Sequence, residues 1–373
     1  MKVDFANLQH QYQLYKTDID ERIHQVLNKS NYIMGSEISE LESELSEFTN
    51  SNHAISCSSG TDALTLALMA IGIKPGDEVI TSPFSFIATA ETITLLQATP
   101  IFVDIDPVTY NIDSSKVEEA ITENTRAIIP VSLYGQPSDL DEIRKVAVSH
   151  DLKVIVDGAQ SFGATYKGKS EVQYCDVYTT SFFPSKPLGC YGDGGAVLTN
   201  NSEYAERIRM MRVHGQSKRY QHKLTGIAGR LDTIQAAVLL AKLPHYENEI
   251  ELRESVANSY SELLSELISQ DIPPCILQDR TSVFAQYTIK VENRNIVRDR
   301  LLSKGIPTAV HYPLPIHKQE CYQSVCERQG SFEVSESVSK VVLSLPMNAF
   351  LSQKDIVNVT SSLAEAINDT QYN

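Results

Sequence analysis

Short apolar or β-branched runs alternate with helical patterns along the N-terminal part of the chain, and no other feature constrains the fold as strongly. Ala54-Ile55-Ser56-Cys57 precedes a helical stretch from Thr61 to Ile71 that sets Leu64, Leu68 and Ile71 on one face, and Glu78-Val79-Ile80 precedes a second from Ser85 to Leu96. Ile101-Phe102-Val103 leads to a predicted helix near Ser115 to Ile121, Ala127-Ile128-Ile129 to another from Asp139 to Val148, and Val154-Ile155-Val156 closes the series. Strands alternating with helices predict an α/β fold with a mostly parallel sheet covered on both faces. Ligands of such a sheet collect at the carboxyl ends of its strands.

After a further strand at Gly195-Ala196-Val197-Leu198 the pattern turns helical, through Glu203 to Met211, Leu231 to Leu243 and a long segment from Tyr246 to Ile268, until Pro273-Pro274 breaks it. Strand-like Val283 to Val291, a helix over Asn295 to Ser303, a short strand Thr308-Ala309-Val310 and a last helix from Gln353 to Ile367 read as a compact α+β unit. The expected division is a large α/β domain over residues 1–244 and a small C-terminal α+β domain over 245–373. At 373 residues, 42% hydrophobic and 21% charged, the chain is long and apolar enough for two such cores.

The 32 Lys and Arg against 47 Asp and Glu leave a net charge of −15, which opposes a phosphate polymer or an anionic membrane, so neither nucleic acid nor membrane is an expected partner. The longest apolar stretch, Ala63 to Ile73, falls short of the roughly 18 residues a membrane span needs. Met1 to Asn7 show no apolar core of a secretory leader. Cys57, Cys175, Cys190, Cys275, Cys321 and Cys326 are scattered without a CxxC pair, which fits a reduced, cytoplasmic setting. His317, Cys321 and Cys326 have no second close pair of donors, so no metal is expected.

Three segments carry chemistry. Cys57-Ser58-Ser59-Gly60-Thr61-Asp62 runs from a strand end through small residues into a helix, a geometry that presents free N–H groups and the positive helix end to an anion such as phosphate; an ordinary Ser/Thr cap reads equally well from this segment alone. Val154-Ile155-Val156-Asp157-Gly158-Ala159-Gln160 places a carboxylate at the end of an apolar strand, either satisfied by backbone N–H groups or set to hold a proton on a ligand nitrogen. Thr180 to Gly195 surrounds Lys186 with small and apolar residues; it is a solvated loop charge or a desolvated amine of lowered pKa, as Schiff-base chemistry requires. Neither GxGxxG nor GxxxxGK[ST] occurs, which disfavours an NAD oxidoreductase and an NTPase.

Together these segments, with Lys186 following Asp157 by 29 residues, resemble the large domain of fold-type I pyridoxal-phosphate (PLP) enzymes. The wording of the motifs is similar to the DegT/DnrJ/EryC1/StrS family of nucleotide-sugar aminotransferases. Further pieces of that resemblance are Tyr32 to Gly35, Pro75 to Val79, Asp104-Ile105-Asp106, Arg230-Leu231-Asp232 with Gln235-Ala236-Ala237, and His311-Tyr312-Pro313. The resemblance implies that Lys186 forms the Schiff base and then moves the proton between cofactor and substrate carbons. It further implies that Asp157 holds the pyridinium proton, Gln160 hydrogen-bonds the ring hydroxyl, Phe86 stacks on the ring, and Gly60, Thr61 and Ser181 hold the phosphate. Family members commonly carry an asparagine two residues before the Arg230 position, reaching the phosphate from the neighbouring subunit; here that residue is Ala228, and the contact is lost. Some relatives replace the lysine with histidine and are dehydratases, so Lys186 favours transamination.

From Arg207 to Arg230 the chain has seven Lys or Arg (Arg207, Arg209, Arg212, Lys218, Arg219, Lys223, Arg230) and no Asp or Glu. That local reversal of charge reads as a solvated helix face and loop, or as a funnel for a multiply anionic nucleoside-diphosphate sugar. Through Ser181 to Gly195, Arg230-Leu231-Asp232-Thr233, Ala285-Gln286-Tyr287-Thr288 and Pro307 to Pro313, the chain most resembles the family members that aminate UDP-2-acetamido-2-deoxy-3-oxo-D-glucuronate, here for surface polysaccharides such as O-antigen. This implies L-glutamate as donor, pyridoxamine 5′-phosphate between half-reactions, and a homodimer with shared active sites. Arg230 is the residue expected to grip the hexuronate carboxylate, across a dimer interface, with His311 and Tyr312 near the sugar; His311 alone reads equally well as a satisfied structural histidine. An aminotransferase for a neutral 3-keto or 4-keto dTDP- or UDP-hexose is the alternative, and a non-catalytic regulator on the same fold a more distant one.

Overall fold

In the computed structural model, which describes residues 3–268, 273–326 and 329–371, one sheet has seven strands. These are β1 (His53–Cys57), β2 (Glu78–Thr81), β3 (Thr99–Phe102), β4 (Thr125–Ile129), β5 (Lys153–Asp157), β6 (Val177–Ser181) and β7 (Gly195–Thr199). They lie in the order β1-β7-β6-β5-β4-β2-β3. Only β7 runs against its neighbours, because residues 182–194 return the chain from β6 without a crossover helix. All other pairs are parallel. Alternate residues of the central strands enter cores on opposite faces: Val154 and Val156 in one, Ile155 with Ala127 and Ile129 in the other. That is why these strands read as unbroken apolar runs. The architecture is the expected α/β fold, a mostly parallel sheet with helices on both faces.

Where the observed elements depart from expectation the cause is local. Instead of a helix near 115–121 there are two 3₁₀ turns, Ser114–Lys116 and Glu118–Ala120; the Asp113 carboxylate accepts the Ser115 N–H at 3.1 Å, offering the backbone an alternative to helical bonds. The second helix begins at Ala88 rather than Ser85. Two N-terminal helices, Leu8–Lys29 and Ser36–Thr49, were not anticipated; the first buries only Gln11, Ile19 and Val26, too sparse a stripe to stand out.

After the turn Leu243–His245 comes the long helix Tyr246–Leu267. Strands Tyr287–Lys290 and Val342–Leu345 pair antiparallel, shorter than the predicted Val283 to Val291 run, and the expected strand at Thr308–Val310 is reduced to one bridge from Ala309 to Ser344. Helices Arg294–Ser303 and Gln353–Gln371 and the long helix close a second core around Tyr260, Tyr287 and Leu343. Val3 also enters this core, its N–H donating to the Gly305 carbonyl at 3.2 Å.

Candidate active site

The carboxyl ends of β1, β5 and β6 and the start of β7 meet at a cavity of about 510 Å³. At the end of β1, Ser59 caps the helix Gly60–Ile71: its Oγ accepts the Asp62 N–H at 3.0 Å and its carbonyl the Ala63 N–H at 2.9 Å. The N–H groups of Gly60 and Thr61, in the first turn, have no helical acceptor. Glycine is required here by space. A Cβ on Gly60 would lie 2.7 Å from Ser181 Cβ, and one on Gly195 would lie 2.5 Å from the Ser59 carbonyl. Bare backbone, a helix N-terminus and the Ser181 side chain thus form a compact anion cradle on the cavity wall.

Asp157 ends β5 and is buried. Thr89 Oγ1 donates to its Oδ2 at 2.7 Å and the Ala159 N–H to its Oδ1 at 3.2 Å. Burial pushes this carboxyl up, while those two donors and the Lys186 charge draw it back. Lys186 lies in the 182–194 return, where its N–H donates to the Phe183 carbonyl at 2.8 Å. Its amine has no hydrogen-bond partner among the described residues, and burial pulls it below the ordinary lysine range against the opposing pull of Asp157. This favours the neutral, nucleophilic amine.

Gln160 is held from two sides, its Oε1 accepting the Tyr134 N–H at 2.7 Å and its Nε2 donating to the Tyr312 hydroxyl at 3.0 Å. His311 Nδ1 meets Ser344 Oγ at 2.9 Å, and its carbonyl accepts the Tyr134 hydroxyl. Burial and the Lys186 charge pull His311 down to about 4, so the ring is neutral at pH 7. Phe86 is 55% exposed at the cavity mouth, its ring centroid 6.4 Å from that of Tyr312. The fold therefore gathers Gly60, Thr61, Phe86, Asp157, Gln160, Ser181, Lys186, His311 and Tyr312 in one cavity.

Arg230 is not among them. It lines an adjacent cavity of about 390 Å³ with Ala228 and Asp232, and Asp193 belongs to both walls. The basic segment also divides. Arg212 is buried against Glu42, with Nη1 donating to the Ser56 carbonyl at 2.7 Å, so it belongs to the framework and not to a funnel. Lys218, Arg219 and Lys223 are exposed around a two-stranded hairpin. His317 Nε2 pairs with Glu336 at 3.2 Å; among the described residues no cluster of His, Cys, Asp and Glu is placed to hold a metal, and the Cys326 side chain lies outside them. No described helix is long and apolar enough to cross a membrane.

Sequence reasoning missed Thr89 and Tyr134, which hold Asp157 and Gln160. Thr89 follows Phe86 by three residues at the start of a helix, and a hydroxyl at that offset was the available signal.

An amine drawn toward neutrality, a buried carboxylate and an anion cradle around one cavity are the equipment of a Schiff-base enzyme working on a phosphorylated group. The chain belongs to the DegT/DnrJ/EryC1/StrS aminotransferase family, whose profile matches residues 13–364. It is 47% identical to the UDP-2-acetamido-2-deoxy-3-oxo-D-glucuronate aminotransferase of Pseudomonas aeruginosa, over 97% of this chain and 99% of the relative. It is 42% identical to a pleiotropic regulatory protein of Geobacillus stearothermophilus, over 98% of both chains. Among solved structures, DesV of S. venezuelae superposes with a TM-score of 0.94 at 37% identity, covering 98% of each chain.

Proposed function

We propose that this chain is a PLP-dependent aminotransferase that carries nitrogen from L-glutamate to the C3 ketone of UDP-2-acetamido-2-deoxy-3-oxo-D-glucuronate. The products are 2-oxoglutarate and UDP-2-acetamido-3-amino-2,3-dideoxy-D-glucuronate, a building block for surface polysaccharide. The observation that carries this reading is the meeting of Lys186, Asp157 and Gln160 with the anion cradle in one cavity; the Pseudomonas aeruginosa relative supplies the choice of sugar.

The residues present fit PLP. The space-limited backbone at Gly60 and Thr61, with Ser181, suits the phosphate, Asp157 the ring nitrogen, Gln160 the ring hydroxyl and Phe86 the ring face. When bound, PLP supplies an aldehyde and an electron-withdrawing ring. Lys186 would provide the nucleophilic amine that holds the cofactor and the acid/base that moves a proton at the substrate carbon. Asp157, aimed by Thr89 and Ala159, keeps the ring nitrogen protonated. Arg230, outside the Lys186 cavity of its own chain, is assigned to the uronate carboxylate in the site of a second copy, with His311 and Tyr312 near the sugar. This makes the working unit a homodimer, placed in the cytoplasm where nucleotide sugars are made. The division at 1–244 and 245–373 belongs to the same proposal; the separate cores support it, with Val3 crossing to the second and Tyr246 to the first.

The test is the visible spectrum of the protein with PLP before and after L-glutamate, followed by turnover on a panel of keto sugars. A Schiff-base band that converts to the pyridoxamine form, with preference for the 3-keto uronate, is the expected result. No band would overturn the enzyme reading and leave a regulator, and preference for a neutral hexose would overturn the sugar assignment.

A further inference from the structure

The main cavity adjoins a side chamber of about 60 Å³; the two share Ser185, Lys186, Gln286 and His311. Beyond these its polar lining is Gln11, Glu249, Arg253 and Asn348, and the rest of the wall is mostly apolar, with Phe5, Leu8, Met347 and Phe350. It holds the few atoms of a carboxylate but not a hexose.

Arg253, on the helix Tyr246–Leu267, is 7% exposed. Among the described residues its guanidinium makes one hydrogen bond, Nη1 to the Phe284 carbonyl at 3.2 Å, and its buried Nε has no acceptor. One turn earlier, Glu249 is buried and attracts Arg253, yet its carboxylate oxygens are engaged by Gln11 Nε2, at 2.9 Å each. The same carboxylate also attracts the buried Lys242, whose Nζ donates to the Gly189 carbonyl at 2.7 Å. Two buried cations thus share one buried anion. A buried charge without a partner is costly, so one more negative charge at this place would be strongly favoured. Gln286 adds a second unspent group: among the described residues its amide makes no side-chain hydrogen bond, and its Oε1 is buried without a partner.

We propose that this chamber is the subsite for the side-chain carboxylate of the amino donor, with Arg253 as its anchor and the Gln286 amide beside it. The inference rests on the transamination reading above. A guanidinium with open donors suits a carboxylate oxygen pair, and Glu249 on the chamber wall tells against a doubly charged phosphate. The arrangement also answers a problem of ping-pong chemistry. One lysine must serve a small amino diacid and a large nucleotide sugar in turn, and a separate pocket lets the donor be recognised by charge in a place the sugar does not enter.

The test uses the PLP-loaded enzyme and its Arg253→Gln and Arg253→Lys variants. The concentration dependence on L-glutamate is read from loss of the Schiff-base band, and the sugar half-reaction is read in reverse from the amino-sugar product. Arg253→Gln should raise the L-glutamate concentration for half-maximal conversion at least twentyfold, a loss at least tenfold larger than on the sugar side, and should erase the preference for L-glutamate over L-glutamine. Arg253→Lys should recover part of it. Equal losses in both half-reactions, or an unchanged glutamate dependence, would overturn the subsite while leaving the enzyme reading intact. A wild-type band that ignores L-glutamate would overturn both. Should Arg253→Gln not fold, Gln286→Leu decides: a donor-selective loss supports the subsite and a uniform or absent one rejects it.

Discussion

Thr89 Oγ1 donates to Asp157 Oδ2 at 2.7 Å, tying the first turn of one helix to the end of a central strand on the cavity wall. Burial works to keep Asp157 protonated, and this hydroxyl is the strongest of the groups that oppose it. A hydrogen bond to a charged group contributes about 1.5–3 kcal/mol. Thr89→Val should therefore raise the Asp157 pKa and cut kcat by roughly ten- to a hundredfold at neutral pH. The raised acid ionises at higher pH, so the deficit should shrink as pH rises. A deficit constant across the pH–rate profile would reject this role for Thr89.

Gly60→Ala tests the cradle. The added methyl would meet Ser181 Cβ at 2.7 Å, closer than side chains approach, and Ser181 cannot retreat because it ends a strand paired to β7. Something must shift by several tenths of an ångström at the place assigned to the phosphate. PLP affinity should fall by at least tenfold while the thermal midpoint of the cofactor-free protein moves only a few degrees, and titration of the variant with PLP monitors this directly. Unchanged affinity would move the phosphate elsewhere.

How much of this was legible in the sequence depends on whether a feature is local. Strands buried on both faces, such as Val154 to Val156, announce themselves as apolar runs, and the residues just beyond them, Asp157 and Gln160, inherit a position at the carboxyl edge. Lys186 was legible because small and glycine residues surround it. Thr89 and Tyr134 were not, because their contacts follow from the strand order β5-β4-β2, which spacing does not encode. Arg253 reads as one charge in a polar helix; only the fold reveals that it is buried with no ion pair among the described residues. The helix Leu8–Lys29 packs Ile19, with Tyr12, Tyr15 and Ile23 beside it, against Val238 and Ala241, partners that lie far along the chain.

Glu171 offers a stability test independent of catalysis. It is buried, accepts the Ser161 hydroxyl at 2.5 Å and that of Ser132, and is pushed up to about 7 by burial. Its folded pKa lies above the unfolded one, so the folded state binds the extra proton. Stability from this group is full below about 4.5, falls as pH rises toward about 7, and stays low above it. Glu171→Gln keeps the shape without the ionisation. Relative to wild type the variant should gain about 2–3 kcal/mol between pH 5 and pH 8 in denaturant melts, using about 1.4 kcal/mol per pKa unit. A constant difference between the two proteins at every pH would show that Glu171 does not titrate in this window.

Arg230 and Lys186 line different cavities that share Asp193, so within one chain the residue assigned to the sugar carboxylate stands outside the reacting centre. If Arg230 grips the uronate in the site of a second copy, Arg230→Ala should lower kcat/KM on the 3-keto uronate by about a hundredfold or more, the cost of leaving a carboxylate without its charged partner. A neutral 3-keto hexose should lose far less. Equal losses on both sugars would remove the carboxylate role. The shared-site geometry is read separately by mixing Lys186→Ala with Arg230→Ala protein. Neither supports normal turnover of the uronate alone, but a mixed dimer has one site with both residues intact, so activity should return toward a quarter of the wild-type value after subunit exchange, and its failure to return would place Arg230 and Lys186 of the same chain in one site.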